Sequence, residues 1–133
     1  MESGFFAMLF RMKYINRWGL MRNTRQESLS EHSLDVAMIA HALGVIRNRR
    51  FSGSVDTDRL AVLAIFHDAN EIITGDLPTP VKYHDDELRT AYKKVEREAS
   101  GRLLALLPED LREEYEQLML PREEDGELWK LVK

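Results

Sequence analysis

The sequence predicts an all-α fold, and three observations predict it. Leu and Ala together fill 28 positions against 13 for Val and Ile, a balance that favours helix over sheet. Apolar residues recur at three- and four-residue spacing along most of the chain, the period of a helix and not of a half-buried strand. The interruptions carry helix start and stop residues, among them Ser28, Asp56, Gly75 and Pro108. There is no internal repeat, low-complexity tract or Pro/Ser/Gly linker, so residues 1–133 are expected to form one domain.

Taken in order, Ser3 is placed to cap a first helix carrying Phe5, Phe6, Leu9 and Met12. The period lapses over 15–20, a loop or short turn. Ser28-Leu29-Ser30-Glu31 is a capping-box pattern, with Ser30 as a competing cap, for a second helix through Leu34, Met38, Ala42 and Val45. Its basic end, Arg47-Asn48-Arg49-Arg50, suits the negative pole of the helix dipole. After Phe51-Ser52-Gly53-Ser54, Asp56 or Thr57 caps a third helix expected over Arg59 to Ile73, apolar on most faces and so central. Gly75 ends it, and Pro78 and Pro80 hold the following residues extended. A helix from about Asp86 to Leu107 is expected to pack through Leu88, Tyr92, Val95, Ala99 and Leu103. Pro108 opens another with Leu111, Tyr115 and Leu118 inside. The last helix, Glu123 to Lys133, starts an apolar face with Leu128, Trp129, Leu131 and Val132 and meets no stop signal, which points to a domain continuing beyond Lys133 or else to a short terminal helix that frays there.

Composition removes several function classes. With no cysteine, the chain has no disulfide framework, thiolate metal site or thiol nucleophile. A net charge of -4 and a pI near 5.6 argue against a nucleic-acid-binding face, which is usually basic. No apolar run reaches the roughly 20 residues of a membrane span, and Arg11 interrupts the short N-terminal one, so a cytoplasmic setting without membrane contact is expected.

Polar residues inside apolar helices carry the chemical information. His67-Asp68 follows seven apolar positions, Leu60 to Phe66, and burying both without partners would be costly. On a continuous helix Glu71 would share the His67 face, and Asp68 would lie about 100° round from it. Imidazole plus carboxylate is a mixed donor set for Mn, Co, Fe, Ni or Zn, although such a pair also occurs as a satisfied structural one. His32, at the start of the second helix, is either a ligand pointing at a neighbouring helix or a capping or surface residue. His41, about 180° round the helix from His32, is expected to be structural, and His84 exposed.

His32 followed by His67-Asp68, with Glu71 one turn on, resembles the HD-domain phosphohydrolases. The match sharpens in Ile15-Asn16-Arg17-Trp18, Ser30-Glu31-His32-Ser33-Leu34, Phe66-His67-Asp68-Ala69 and the run Thr74-Gly75-Asp76-Leu77-Pro78-Thr79-Pro80-Val81-Lys82-Tyr83. In that order these stretches resemble the bacterial 5'-deoxynucleotidases over nearly the whole chain. The resemblance implies an HD-domain helical bundle and a metal-dependent phosphomonoesterase acting on deoxyribonucleoside 5'-monophosphates, with Co2+ or Mn2+ as cofactor and a homodimeric assembly. It implies metal ligation by His32, His67 and Asp68, with His32 and Asp68 also bordering the substrate. Glu71 would help activate water, and Arg17 would hold the phosphate and serve catalysis. Trp18 would pack on the sugar, and Asp76, Leu77, Pro78 and Thr79 would line the nucleoside end. From isolated sequence, Trp18 could equally be a core or lid aromatic and Arg17 a surface ion-pair partner. The family pattern adds a fourth ligand, an aspartate on a later helix shortly after a segment resembling Leu131-Val132-Lys133. Asp110 and Asp125 stand in the wrong context for it, so the bundle is expected to lack its C-terminal helices here.

Two other functions fit the same residues. One is an HD-type hydrolase of nucleoside triphosphates or cyclic nucleotides, with Lys82 as an additional cation. The other is a metal-poor, non-catalytic remnant that dimerises or binds nucleotides.

Overall fold

The computed structural model describes residues 4–16, 27–75, 84–120 and 125–132. Within them the chain forms α1 (Gly4–Leu9), α2 (Leu29–Arg50), α3 (Thr57–Phe66), α4 (Glu71–Thr74), α5 (Asp86–Leu104), α6 (Glu109–Met119) and α7 (Gly126–Val132). A 3-10 helix at Phe10–Tyr14 tightens the chain directly after α1. Asn16 and Ser28 form an isolated antiparallel bridge that brings the end of this first unit to the start of α2. The all-α expectation holds across the described residues.

The caps explain where the helices begin. Ser28 Oγ accepts from the Glu31 amide at 3.2 Å and Glu31 Oε1 accepts from the Ser28 amide at 3.3 Å, so the capping box is complete. Asp56 accepts from the Arg59 amide and Asp85 from the Leu88 amide, starting α3 and α5. Between α2 and α3, the Asn48 side chain makes two 2.9 Å hydrogen bonds to the backbone of Val55 and closes the connection.

Two apolar clusters hold the helices. The first joins Ala37 and Ala40 of α2, Leu60, Leu63 and Ala64 of α3, and Leu128, Trp129 and Val132 of α7. The second gathers Phe5, Met12, Leu29, Ala69, Leu103, Leu104, Leu107 and Met119. Each fully buried leucine is worth about 1.5–3 kcal/mol, so Leu60 and Leu63 make the α2–α3 packing a main stabilising element. Arg59 and Asp125 lock α7 to α3 with a two-pronged ion pair, 2.9 and 2.7 Å, in which Asp125 is almost fully buried.

Several expectations are corrected. The α2 residues Leu34, Met38, Ala42 and Val45 face outward, and the inward face is the small-residue stripe Ser33, Ala37, Ala40 and Gly44. Apolar residues surround this helix, and α3 takes the side on which small residues allow close approach. A Cβ at Gly44 would sit 2.9 Å from Leu60 Cδ2 and 3.1 Å from Thr57 Cγ2. The third helix ends at Phe66, not Ile73, because the Ala64 carbonyl accepts from the His67 side chain at 2.5 Å. A continuing helix would offer that carbonyl to the Asp68 amide, so the side chain competes with the backbone ladder. Residues 67–70 make a turn, and α4 ends at Gly75, whose φ of 73° suits glycine. In α5 Leu88 and Val95 are exposed, and packing runs through Ala99, Ser100, Leu103 and Leu104. The α7 stripe of Leu128, Trp129 and Val132 is buried against α2 and α3. Ser3 lies outside the described residues.

Candidate metal centre

The site forms where the two clusters meet. On α2, His32 lies between Leu29 of the second cluster and Ala37 of the first. At the end of α3, His67 and Asp68 lie between Ala64 of the first and Ala69 of the second. The turn produced by the His67–Ala64 hydrogen bond carries Asp68 off the helix and toward His32. Asp68 Oδ2 is 2.9 Å from His67 Nε2 and 3.5 Å from His32 Nε2. The two imidazole rings lie 5.8 Å apart at 49°. One donor atom from each of the three side chains falls within 4.8 Å of the others.

Electrostatics follow from this contact. Burial alone would raise the Asp68 pKa, but hydrogen bonds from His32 and His67 and their charge outweigh it and hold the carboxyl well below the usual range. Burial alone would lower the His67 pKa. The Asp68 hydrogen bond and charge, the Ala64 carbonyl and the Glu71 charge together raise it instead. Both ring nitrogens of His67 face acceptors, which favours imidazolium in the metal-free chain.

The three side chains fit a divalent ion. Two donors about 2.1 Å from a tetrahedral ion are about 3.4 Å apart, close to the 2.9 and 3.5 Å found here. The hydrogen bond from Nδ1 to the Ala64 carbonyl orients the His67 ring with Nε2 toward Asp68, as a ligating histidine's outer partner does. Two nitrogens and one oxygen suit borderline divalent ions.

Glu71 is the nearby buried acid, 3% exposed at the start of α4. It reaches the site across a turn and not along one helix face, correcting the i to i+4 relation expected from sequence. His41 and His84 are exposed and take no part. Asp125 is held by Arg59, in keeping with its exclusion as a ligand, but the Arg59 pair itself, 66 residues apart, left no mark in the sequence pattern. Arg17, Trp18, Asp76, Leu77, Pro78 and Thr79 lie outside the described residues.

Comparison with known proteins places the chain among named relatives. Over 131 residues the chain is 52% identical to a 5'-deoxynucleotidase of Photorhabdus temperata, covering 98% of this chain and 66% of that one. It is 56% identical over 117 residues to a 5'-deoxynucleotidase of Photorhabdus laumondii, covering 88% and 59%. The fold matches the crystal structure of an HD-domain phosphohydrolase of Listeria innocua with a TM-score of 0.81 and 26% identity, over 97% of this chain and 61% of that one. A cyanophage S-2L HD phosphohydrolase, solved with dA and one catalytic Zn2+ ion, matches with a TM-score of 0.60 and 27% identity, over 95% and 64%. The chain therefore spans about three-fifths to two-thirds of the length of these relatives. The family model described as "5'-deoxynucleotidase YfbR-like" matches residues 4–133, and the chain belongs to that family of HD-domain proteins.

Proposed function

We propose that this chain is the metal-binding part of a phosphomonoesterase that converts deoxyribonucleoside 5'-monophosphates into deoxynucleoside and inorganic phosphate. The observation that carries the reading is the convergence of His32, His67 and Asp68 from two separate elements onto one point. The relatives named 5'-deoxynucleotidase and the cyanophage enzyme's dA and Zn2+ support it.

His32, His67 and Asp68 would hold a divalent ion, with Co2+ or Mn2+ as the preferred metal. Such an ion supplies Lewis-acid polarisation of a phosphoryl oxygen and a lowered pKa for bound water. Glu71 accepts the proton of the attacking water, and its burial keeps it close to the reacting groups. Arg17 presents its planar donor fork to the phosphate oxygens and orients phosphorus for attack. The new bond joins the water oxygen to phosphorus, the bond to O5' breaks, and a proton passes to the leaving oxygen. His32 and Asp68 border the phosphate. Trp18 gives a rigid wall beside the sugar, and Asp76, Leu77, Pro78 and Thr79 line the nucleoside. An apolar wall rejects an added 2'-hydroxyl by only about 100-fold, which sets the selectivity this site would reach. The 133 residues act as one HD-type domain in a homodimer, in the cytoplasm. Among the described residues no helix is long and apolar enough to cross a membrane.

Phosphate release tests the reading. The chain with Co2+ or Mn2+ is offered deoxy- and ribonucleoside 5'-monophosphates, triphosphates and cyclic nucleotides, with malachite green as readout. Release from deoxyribonucleoside monophosphates above the others is expected. Release from triphosphates or cyclic nucleotides alone would overturn the substrate, and no release from any would overturn the activity.

A further inference from the structure

The inward stripe of α2 is Ser33, Ala37, Ala40 and Gly44, and only Ser33 carries a polar side chain. Ser33 is 3% exposed, its Oγ is closed to water, and it finds no hydrogen-bond partner among the described residues. A helical serine commonly turns its hydroxyl back to a carbonyl of the preceding turn, and Ser33 does not. A buried hydroxyl without a partner costs stability, and an alanine would continue the stripe without that cost. Burial by the residues present is not undone by any further chain, so a partner for this hydroxyl has to come from movement within the seam itself.

Two contacts place Ser33. Gly44 packs on Leu60 and Thr57 at one end of the α2–α3 seam, and His32 Nε2 stands 3.5 Å from Asp68 Oδ2 at the other. The helices therefore run antiparallel, and the inward position beside His32 falls against the end of α3 and the turn 67–70. Among the described residues the carboxylates there are Asp68 and Glu71. Asp68 is engaged by the two imidazoles. Glu71 is also 3% exposed, and it is near enough to His67 for its charge to act on the ring. A carboxylate accepts several hydrogen bonds at once, so Glu71 has capacity for one more whatever else it meets.

Metal loading moves this turn. Asp68 Oδ2 and His67 Nε2 are 2.9 Å apart, and two donors on one tetrahedral ion are about 3.4 Å apart, so the pair opens by about 0.5 Å. The Glu71 amide donates to the Asp68 carbonyl at 3.0 Å, so a shift of Asp68 is passed to Glu71. We propose that Ser33 is a positioning residue for Glu71: its hydroxyl donates to the Glu71 carboxylate when the centre holds its ion, and so fixes the base beside the reacting water. That bond favours the ionised, proton-accepting form of Glu71. The inference rests on the metal centre and the role of Glu71 proposed above, and adds the residue that orients the base.

A double-mutant cycle on Co2+ affinity tests it. Titration calorimetry with Co2+ near pH 8 compares the wild type, Ser33→Ala, Glu71→Ala and the double variant, each first melted without metal. Metal-free Ser33→Ala should melt no lower than the wild type, because it removes an unmet hydroxyl and alanine is the better helix former. Its Co2+ dissociation constant should rise about fivefold, the worth of one ordinary buried hydrogen bond made only on loading. In the Glu71→Ala background the same change should have no effect. A Co2+ affinity equal in Ser33→Ala and the wild type, or a loss that persists without Glu71, overturns the inference. So does a metal-free Ser33→Ala that melts several degrees lower, which would make the hydroxyl structural. Phosphate release does not enter, so a chain that binds Co2+ and hydrolyses nothing overturns the activity reading alone. A wild type that binds no Co2+ overturns the metal centre and this inference together.

Discussion

Metal binding at the candidate centre should be coupled to proton release from His67. In the metal-free chain His67 Nδ1 donates to Ala64 and Nε2 lies 2.9 Å from Asp68 Oδ2, an arrangement that stabilises the imidazolium and raises its pKa above 6.5. A ligating Nε2 must give up its proton, so an ion replaces that proton beside Asp68. Below the raised His67 value the metal dissociation constant should rise about tenfold per pH unit, about 1.4 kcal/mol, and it should level off above that value. The metal-free fold follows the opposite trend. The raised His67 pKa contributes stability that is complete below 6.5 and fades as pH rises through the folded value. The lowered Asp68 pKa contributes stability present above about pH 4 and lost on further acidification. Co2+ titrations from pH 5.5 to 8.5, with thermal melts of the metal-free chain extended down to about pH 3, read both trends. His67→Ala should flatten the metal slope by about one proton. A Co2+ affinity independent of pH, or a slope unchanged in His67→Ala, would refute the assignment of His67 as a ligand.

Three further outcomes follow from the packing and the site. Glu71→Ala should abolish phosphate release, a loss on the order of 100-fold or more for removal of a general base, while metal content stays at the wild-type level; parallel loss of metal would make Glu71 a ligand or a support. Asp125→Ala leaves Arg59 without its buried partner and should cost about 3 kcal/mol in urea unfolding, whereas an effect below about 1 kcal/mol would show the pair to be incidental. Gly44→Ala sets overpacking of about 1–3 kcal/mol against Leu60 and Thr57 in opposition to about 1 kcal/mol of helix propensity, so a net loss of up to about 2 kcal/mol is expected, and a stabilised variant would mean the α2–α3 seam is looser than the 2.9 Å approach implies.

Local signals were legible and directional ones were not. Ser28 with Glu31, Asp56, Gly75 and Pro108 mark element ends by their own chemistry, and the elements stand close to where those residues put them. The outward turn of Leu34 and Met38 was hidden because α2 is apolar nearly all round, and the deciding factor is the close approach allowed by Ala37, Ala40 and Gly44. The early end of α3 was hidden because Ala69, Ile72 and Ile73 recur past Phe66 at helical spacing, while the break comes from one imidazole taking one carbonyl. For the site, the donor types in His67-Asp68 were evident, but their meeting with His32 depends on a turn and a helix crossing that spacing along the chain does not encode. The resemblance to HD-domain proteins supplied that link, and in the structure Asp68 Oδ2 stands 2.9 and 3.5 Å from the two imidazoles.

The account turns on whether His32, His67 and Asp68 together hold a divalent ion. Metal content per chain, measured after loading with Co2+ and dialysis near pH 8, compares the wild type with His32→Ala, which removes the one donor supplied by α2. About one ion per wild-type chain and a near-complete loss in His32→Ala are expected. Equal metal in the two proteins would contradict a centre built between α2 and the end of α3.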